Sequence, residues 1–230
     1  MNIVIPFRNT CGTDELKMCL QLIKKNFDIN YTNIYILGDP VDFNIELEKI
    51  KNIIVEEQKY NKWLDSNFLI AYFIEMFPEE PFVLFNDDFF ITSIVRKEAL
   101  NQYYCGTISQ RQKTTNVIDT RICQLRPSMY GLNLKAFLNA CGDYENYETH
   151  TPMYIEKPQI MLEAIKLGKQ YDCPALKRTI YMYLLQKKGS ELKNDVKFGE
   201  PYKEMQYPFF SLTDTEFKAF EKELNKIVNN

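Results

Sequence analysis

The sequence lacks several signatures that identify common enzyme and binding classes. It contains one histidine and one tryptophan, and none of its six cysteines is separated from another by only two residues. A zinc site built from Cys and His is therefore not expected, because such sites place their ligands at short spacing. The motifs G-x-G-x-x-G, G-x-x-x-x-G-K and G-x-S-x-G are also missing. Dinucleotide-fold, P-loop and serine-hydrolase interpretations therefore have no support.

Long hydrophobic and basic stretches are missing as well. No segment approaches the roughly 18 consecutive apolar residues of a membrane-spanning helix, and the opening MNIVIPF has no basic segment ahead of an apolar one. The net charge is −3 with a pI near 5.4, whereas a non-specific nucleic-acid binder is normally basic. We therefore expect a cytoplasmic protein with reduced cysteines and no transmembrane segment.

Strand and helix patterns alternate through residues 1–92. Strands are predicted at 2–7, 33–40, 52–57 and 81–91, and helices at 13–27 and 64–77, the second capped by Asp65 or Ser66. This alternation predicts an α/β fold with a mainly parallel, twisted sheet flanked by helices.

The pattern is weaker after residue 92. Thr213 and Glu216 match a capping box at the start of a last helix. No internal repeat or clear linker interrupts the chain, so we expect a single domain, 1–230. Helices are predicted at 95–104, 132–141, 158–167, 175–189 and 212–228. The segment 105–130 is polar with strand-like pieces, and 190–207 is polar with little regular pattern.

Asp87 and Asp88 interrupt the strongly apolar run FVLFNDDFFI, residues 82–91. Two carboxylates at the end of a central strand cannot easily both stay ionised unless a cation neutralises them. One interpretation is that Asp87 caps a turn and Asp88 is merely exposed. The other is that Mn²⁺ or Mg²⁺ binds the carboxylates together with the phosphates of a substrate. The second interpretation fails if lysines bind these acids and no open cleft adjoins them.

Further candidates follow the predicted strands, because ligands of parallel sheets bind at the carboxyl ends of the strands. Arg8 follows the first strand and suits a diphosphate, and Asp39 follows the second and suits a base or ribose. Lys62 and Arg178 are further cations near the ends of predicted elements. Taken alone, each basic residue is more often an ordinary surface cation.

His150, in the segment ETHTPMYIEK, has two interpretations. It is either an imidazole on a surface loop, or a metal ligand or acid/base group. Weaker candidates for a general base and for phosphate contacts lie in or near the irregular middle of the chain: Asp119, Asp143, Glu148, Arg111, Arg121 and Arg126.

Three segments resemble the Stealth family, the bacterial capsule sugar-phosphate transferases and their eukaryotic lysosomal-targeting relatives. FVLFNDDFFI resembles the N-D-D motif of that family, YNKWLDSNFLIAYFIEMFPE is similar to the segment just upstream, and THTPMYIEK is similar to a later His-x-Pro block. The likeness covers roughly residues 31–165. The family's opening Trp-Val-Asp-Gly block is absent, and IVIPFRN in its place resembles the first strand of a GT-A glycosyltransferase.

The resemblance implies a GT-A-like fold with a divalent metal and a nucleotide-diphospho-sugar donor. Residues 1–92 would form the donor half and 93–230 the acceptor half. By motif, Asn86, Asp87 and Asp88 match the acidic block, Asn67 the upstream asparagine and His150 the later histidine. Together with the strand-end residues, the candidate site comprises, as catalytic groups, Asp87, His150 and Arg178; as metal ligands, Asp88 and His150; and as donor contacts, Pro6, Phe7, Arg8, Asp39, Lys62, Asn67 and Asn86.

The leading hypothesis is a metal-dependent transferase of a sugar or a sugar-1-phosphate. Its acceptor would be a glycan, a protein, a lipid-linked sugar or a nucleobase. A non-catalytic nucleotide-sugar-binding module and a metal-dependent phosphodiester hydrolase are the alternatives, since paired acids also serve hydrolases.

Overall fold

The structure, a computed structural model, describes residues 1–9, 12–41, 43, 49–55, 61–100, 102–119, 124–197 and 207–229. Its strands are β1 (Asn2–Phe7), β2 (Ile34–Gly38), β3 (Ile50–Ile54), β4 (Phe82–Leu84), β5 (Phe89–Ile91), β6 (Tyr103–Tyr104), β7 (Asn116–Asp119), β8 (Gln124–Pro127), β9 (Met153–Ile155), β10 (Ser190–Glu191) and β11 (Phe209–Ser211). Its helices are α1 (Asp14–Asn26), α2 (Lys62–Met76), α3 (Ile108–Thr114), α4 (Met129–Cys141), α5 (Pro158–Gln170), α6 (Lys177–Leu185) and α7 (Asp214–Asn229), with 3-10 turns at Lys97–Ala99 and Pro174–Leu176.

The central sheet has five strands in the order β3-β2-β1-β4-β9. The first four are parallel, and β9 runs antiparallel to β4. The predicted α/β fold with a mainly parallel sheet flanked by helices is therefore confirmed. The strand order reverses at β1, because β2 pairs on one side of it and β4 on the other. In open α/β sheets such a reversal opens a crevice at the carboxyl ends of the strands.

Two apolar clusters cover the two faces of this sheet. Ile3 and Ile5 of β1 belong to one cluster and Val4 to the other, as expected when successive side chains of a strand point to opposite faces. The first cluster includes buried residues of α1 and α7, and the second includes buried residues of α2, α4, α5 and α6. Helices on both faces therefore anchor the loops that leave the strand ends.

The segment 81–91, predicted as one continuous strand, forms two separate strands, β4 and β5. The prediction of a single strand is therefore wrong. β4 stays in the central sheet, whereas β5 pairs antiparallel with β11. Between them the chain turns, and the backbone N–H of Phe89 donates to the carbonyl oxygen of Asn86 at 3.3 Å. The apolar pattern runs through both strands because both are buried, so the pattern alone does not reveal the turn.

The helix predicted at 95–104 is also wrong. The chain there forms the 3-10 turn Lys97–Ala99 and then β6, which pairs in parallel with β10. Pairing with a distant strand outweighs the local helix propensity, which is a weak preference. In the segment 105–130, the predicted strand-like pieces are confirmed as β7 and β8, and the helix α3, which was not predicted, precedes them. Within the polar segment 190–207, residues 198–206 lie outside the described residues.

The sequence predicts the N-terminal caps of two helices, α2 and α7, and one of these two predictions is correct. The cap of α2 is Asn61, whose side chain accepts from the backbone N–H groups of Trp63 and Leu64 at 3.1 and 3.0 Å, so the predicted cap at Asp65 or Ser66 is wrong. The capping box of α7 is confirmed. Thr213 N–H donates to Glu216 Oε2 at 2.8 Å, and Glu216 N–H donates to Thr213 Oγ1 at 3.4 Å.

None of the helices in the described ranges is long and apolar enough to cross a membrane.

Candidate active site

Residues from separate strands meet at the carboxyl edge of the sheet. Arg8 follows β1, Asp39 follows β2, and Asn86 to Asp88 follow β4. Because β9 runs antiparallel beside β4, the residues that precede β9 come to the same edge, and His150 is among them. Most of the residues predicted from the sequence therefore lie along one border of the sheet.

The carboxylate of Asp88 has two different environments at its two oxygens. Its Oδ2 accepts from Ser211 Oγ at 2.8 Å and lies 3.2 Å from Lys197 Nζ. Its Oδ1 is buried and has no hydrogen-bond partner among the described residues. The side chain is 17% exposed. Lys197 thus supplies a positive charge that the sequence argument had assigned to a metal, while Oδ1 remains an oxygen that could coordinate a cation.

Asp87 lies half-buried in the turn between β4 and β5. The nearby thiol of Cys19 on α1 is fully buried and lies 3.7 Å from the carbonyl oxygen of Asn86. Burial, followed by the charges of Asp87 and Asp88, raises the pKa of Cys19 well above its usual value. Cys19 is therefore a neutral thiol at neutral pH, a packing residue beneath the acidic turn rather than a nucleophile.

The single histidine is paired with a carboxylate. His150 Nδ1 lies 2.8 Å from Asp195 Oδ2, and the His150 backbone N–H donates to Asp195 Oδ1 at 3.0 Å. The imidazole meets the ring of Phe89 edge to face, and its side chain is 27% exposed. A carboxylate on Nδ1 orients the ring and leaves Nε2 to face a ligand or proton donor.

Sequence reasoning missed Asp195. Burial opposes its ionisation, but hydrogen bonds from the His150 side chain and backbone outweigh burial and lower its pKa. Asp195 lies in the polar segment after β10, which carries no periodic pattern. No local signal distinguishes this aspartate from a solvated one, because its partner is 45 residues away.

Arg178 holds the loop that carries His150. It is 4% exposed, and its Nη1 donates to the carbonyl oxygens of Thr149 and Thr151 at 2.8 and 2.7 Å. Its guanidinium lies 5.5 Å from the centre of the Phe89 ring. Burial lowers the pKa of Arg178, although the negative charges of Glu148, Asp88 and Asp195 act in the opposite direction and raise it. These contacts make Arg178 a positioning residue instead of the exposed phosphate contact that was predicted.

The weaker candidates for a general base that the structure describes form hydrogen bonds that stabilise the fold. Glu148 Oε1 accepts from the backbone N–H groups of Arg178 and Thr179 at 2.8 and 3.0 Å, so it caps the start of α6. Burial raises the pKa of Glu148. Asp143 accepts from the N–H and Oγ of Ser109 at 2.9 and 2.7 Å. The side chain of Asp119 is outside the described residues, as are those of Arg121 and Arg126.

The donor contacts predicted after β1 and β2 are tied to other groups. Arg8 forms an ion pair with Asp65, a buried residue on α2. Asp39 Oδ2 accepts from the backbone N–H of Asn9 at 2.7 Å, which joins the two loops. Phe7 is 2% exposed and packs in the core, so its side chain cannot contact a donor as predicted. Pro6 is half-buried within β1.

Two candidates lie on α2. Lys62 is exposed at the first position of the helix, with its ammonium 5.4 Å from the Trp63 ring centre. Asn67 is buried, and its Nδ2 donates to the carbonyl oxygen of Pro174 at 2.8 Å. Asn67 therefore ties α2 to the 3-10 turn that leads into α6 and Arg178. Its contact is structural, whereas Lys62 is accessible to an anion.

A cleft of about 660 Å³ lies between α3 and the segment that follows β10. Cys105, Arg111 and Lys193 are among the residues that line it. Lys193 lines the cleft two residues before Asp195, so the cleft adjoins the segment that carries the pair. None of the principal residues predicted from the sequence lines this cleft, and among the described lining residues Arg111 alone was a weaker candidate.

Within the described ranges, no group of three or more His, Cys, Asp and Glu side chains could hold a metal ion. A divalent cation at Asp88 would therefore take most of its ligands from substrate phosphates and water, as Mg²⁺ commonly does.

Neither a family model nor a curated protein matches this sequence. The resemblance to the Stealth family therefore stays a prediction, and a functional assignment depends on the site itself.

Proposed function

We propose that this protein is a metal-dependent transferase that takes a sugar, or a sugar-1-phosphate, from a nucleotide-diphospho-sugar. The observation that carries the proposal is the position of Asp88. Its Oδ1 is buried without a hydrogen-bond partner among the described residues, at the edge of a parallel sheet whose strand order reverses at β1. An unpartnered buried carboxylate oxygen is costly unless something binds it.

The topology supports a nucleotide ligand. Phosphate-bearing ligands of open α/β sheets bind outside the carboxyl ends of the strands where the strand order reverses. Here Arg8 and Asn86–Asp88 follow the two strands that flank this point, β1 and β4. A diphosphate at this edge would lie against the acidic turn and near Lys197, whose Nζ lies 3.2 Å from Asp88 Oδ2.

The donor set at Asp88 fits Mn²⁺ or Mg²⁺ in part. Both cations prefer carboxylate oxygens and complete their coordination with phosphate oxygens and water. Asp88 Oδ1 and the half-buried Asp87 are the protein groups that would hold such an ion. A divalent ion held there would supply positive charge for the leaving diphosphate.

His150 and Asp195 support the acceptor half of the reaction. The hydroxyl of the acceptor would give its proton to Nε2 of His150 as its oxygen forms a bond to the transferred group. The bond to the nucleotide breaks with its electron pair remaining on the leaving phosphate. Asp195 keeps the imidazole oriented and stabilises the charged form that results.

The Lys197–Asp88 ion pair favours one of the alternatives, a non-catalytic module. A lysine that permanently neutralises Asp88 would allow a nucleotide sugar to bind without a metal and without transfer. In that case the donor would bind equally well with and without Mn²⁺, and it would never be hydrolysed.

Thermal unfolding of the full chain with UDP-, GDP- and CDP-sugars, each with and without Mn²⁺, tests the proposal. We expect one donor to raise the unfolding temperature in a Mn²⁺-dependent manner. Asp88→Asn should remove the Mn²⁺-dependent part, whereas Asp28→Asn, an exposed carboxylate at the end of α1, should leave it unchanged. Failure of every nucleotide and metal pair to stabilise the wild type would overturn it.

A cleavage assay separates the hydrolase alternative. Release of a free sugar or sugar phosphate from a nucleotide sugar supports a transferase, and cleavage of an oligonucleotide without any action on nucleotide sugars supports a phosphodiester hydrolase.

A further inference from the structure

The cleft beside Asp195, here called the side cleft, is lined by residues of three separate segments. Cys105 precedes α3, and Gln110 and Arg111 lie on α3. Glu191 is the last residue of β10, and Lys193 follows that strand. Its volume of about 660 Å³ falls within the range of about 300–1,000 Å³ typical of small-molecule sites.

The side cleft adjoins the segment that carries Asp195, the partner of the proposed base. Lys193 lines the side cleft two residues before Asp195, and Asp195 Oδ2 lies 2.8 Å from His150 Nδ1. A molecule seated in the side cleft is therefore next to the elements that position His150.

The wall formed by α3 is rigidly built. Thr107 caps the helix, and Gln110 reaches back so that the Thr107 N–H donates to Gln110 Oε1 at 2.9 Å. Ser109 in the same turn is bound twice by Asp143. A preformed wall lowers the entropy lost when a ligand binds.

The charges in the side cleft favour an anion. Among the charged lining residues in the part of the chain that the structure describes, Arg111 and Lys193 outnumber Glu191. The guanidinium of Arg111 makes no hydrogen bond or ion pair with any residue in the described ranges. A planar guanidinium binds a carboxylate or a phosphate through two parallel hydrogen bonds.

Tyr207 adds an aromatic wall. It lines the side cleft, and its ring packs edge to face against Tyr103 at a centroid distance of 5.9 Å. Aromatic side chains combined with a few placed polar groups are characteristic of sites for small ligands, a sugar ring among them.

We propose that the side cleft binds the acceptor, and that the acceptor is a sugar bearing an oxyanion, either a carboxylate or a phosphate, which pairs with Arg111. This inference depends on the proposed function, because it assigns the second substrate of that reaction. It predicts that an uncharged sugar of the same size binds far more weakly.

Saturation-transfer NMR on the full chain tests the assignment with three sugar probes, glucuronate, glucose 6-phosphate and glucose, and with inorganic phosphate as a competitor that displaces them. We expect glucuronate, glucose 6-phosphate or both to bind at least about ten-fold more tightly than glucose, which corresponds to one charge-assisted contact. Which of the two binds identifies the oxyanion. Binding of glucose as tight as that of both anionic sugars, or binding of inorganic phosphate as tight as that of the better anionic sugar, would overturn the assignment.

Arg111→Gln should weaken the anionic sugars about ten-fold or more and bring them close to glucose. Lys113→Gln is the matched control, since Lys113 is an exposed cation on the same helix that does not line the side cleft. Arg111→Lys keeps the charge and should recover part of the affinity. Equal unfolding temperatures of the three variants would show that lost binding is not lost folding. An unchanged affinity in Arg111→Gln would overturn the assignment.

Donor binding measured on the same preparation distinguishes the two proposals. If a nucleotide sugar with Mn²⁺ stabilises the protein but no anionic sugar binds, the side-cleft assignment fails and the transferase proposal stands. If anionic sugars bind and no nucleotide sugar does, the transferase proposal fails, and with it the assignment of the side cleft as an acceptor site.

Discussion

Nδ1 of His150 and Oδ2 of Asp195 lie 2.8 Å apart, although 45 residues separate them in the sequence. Asp195 is almost fully buried, with 6% of its side chain exposed, and both of its oxygens are used by His150. The pair anchors the segment after β10 to the loop that precedes β9. The two carboxylate oxygens of Asp195 therefore both stabilise the fold and orient the imidazole of His150.

Asp195→Asn should lower the free energy of unfolding at pH 7 by about 1.5–3 kcal/mol, the usual contribution of a hydrogen bond to a charged group. The folded pKa of Asp195 lies below its ordinary value of 3.8. Its contribution is therefore fully present above that value and is lost as the pH falls through the folded pKa. Urea unfolding between pH 7 and pH 3 measures this.

The difference between wild type and Asp195→Asn should shrink as the pH falls below 3.8, the ordinary value. Asp28→Asn, which removes an exposed carboxylate, serves as the control and should change stability little at any pH. A constant difference across the whole range would show that the lowered pKa of Asp195 does not contribute.

Arg178→Met should destabilise the protein by about 3 kcal/mol or more, because it leaves two buried carbonyl oxygens without donors. These are the carbonyl oxygens of Thr149 and Thr151. Hydrogen exchange should rise locally in the loop that carries His150. Arg96→Met, an arginine that is 73% exposed, should have a small effect. Equal destabilisation by both variants would contradict the positioning role of Arg178.

Lys177 should make the stability rise with pH between about 8 and 10. Burial lowers its folded pKa from 10.5 to about 8, so above pH 8 the unfolded chain binds more protons than the folded one. Stability then increases with pH, by about 1 kcal/mol or more across this window. Lys177→Met should remove that rise, and Lys169→Met, an exposed lysine on α5, should retain it. Urea unfolding at several pH values provides the measurement.

Lys197→Gln should separate a metal site from a structural ion pair. Lys197 Nζ lies 3.2 Å from Asp88 Oδ2, so removing its charge should tighten Mn²⁺ binding about ten-fold if Asp88 is a ligand. Calorimetric titration with Mn²⁺ gives the affinity. Lys187→Gln breaks a comparable lysine–carboxylate pair at the surface, with Glu156, and should leave Mn²⁺ binding unchanged. Weaker or unchanged Mn²⁺ binding in Lys197→Gln would argue for the non-catalytic module.

The parallel sheet was predictable because its signals are local. β1, β2 and the helices α1, α2 and α7 follow hydrophobic periods that repeat within a few residues. The break between β4 and β5 was not predictable, since both strands are buried and read as one apolar run. β6 was not predictable either, because its partner strand β10 lies far along the chain.

The candidate site was predictable in part. The acidic turn and His150 were identified as polar residues after or before buried strands, and the fold brings them to one edge of the sheet. Phe7 was assigned from its neighbours and proved to be a core residue. Arg178 was identified as important, but its contacts hold a loop in place.

The sequence alone determined the α/β class and the border of the sheet at which polar groups gather, because both depend on side-chain periodicity and on where apolar strands end. Only the tertiary structure decided what those groups touch. Lys197 reaches Asp88 across 109 residues, and Asp195 reaches His150 across 45. Such pairings depend on how distant segments pack against each other. The residues around a single charged side chain in a polar segment do not indicate which distant residue it will contact.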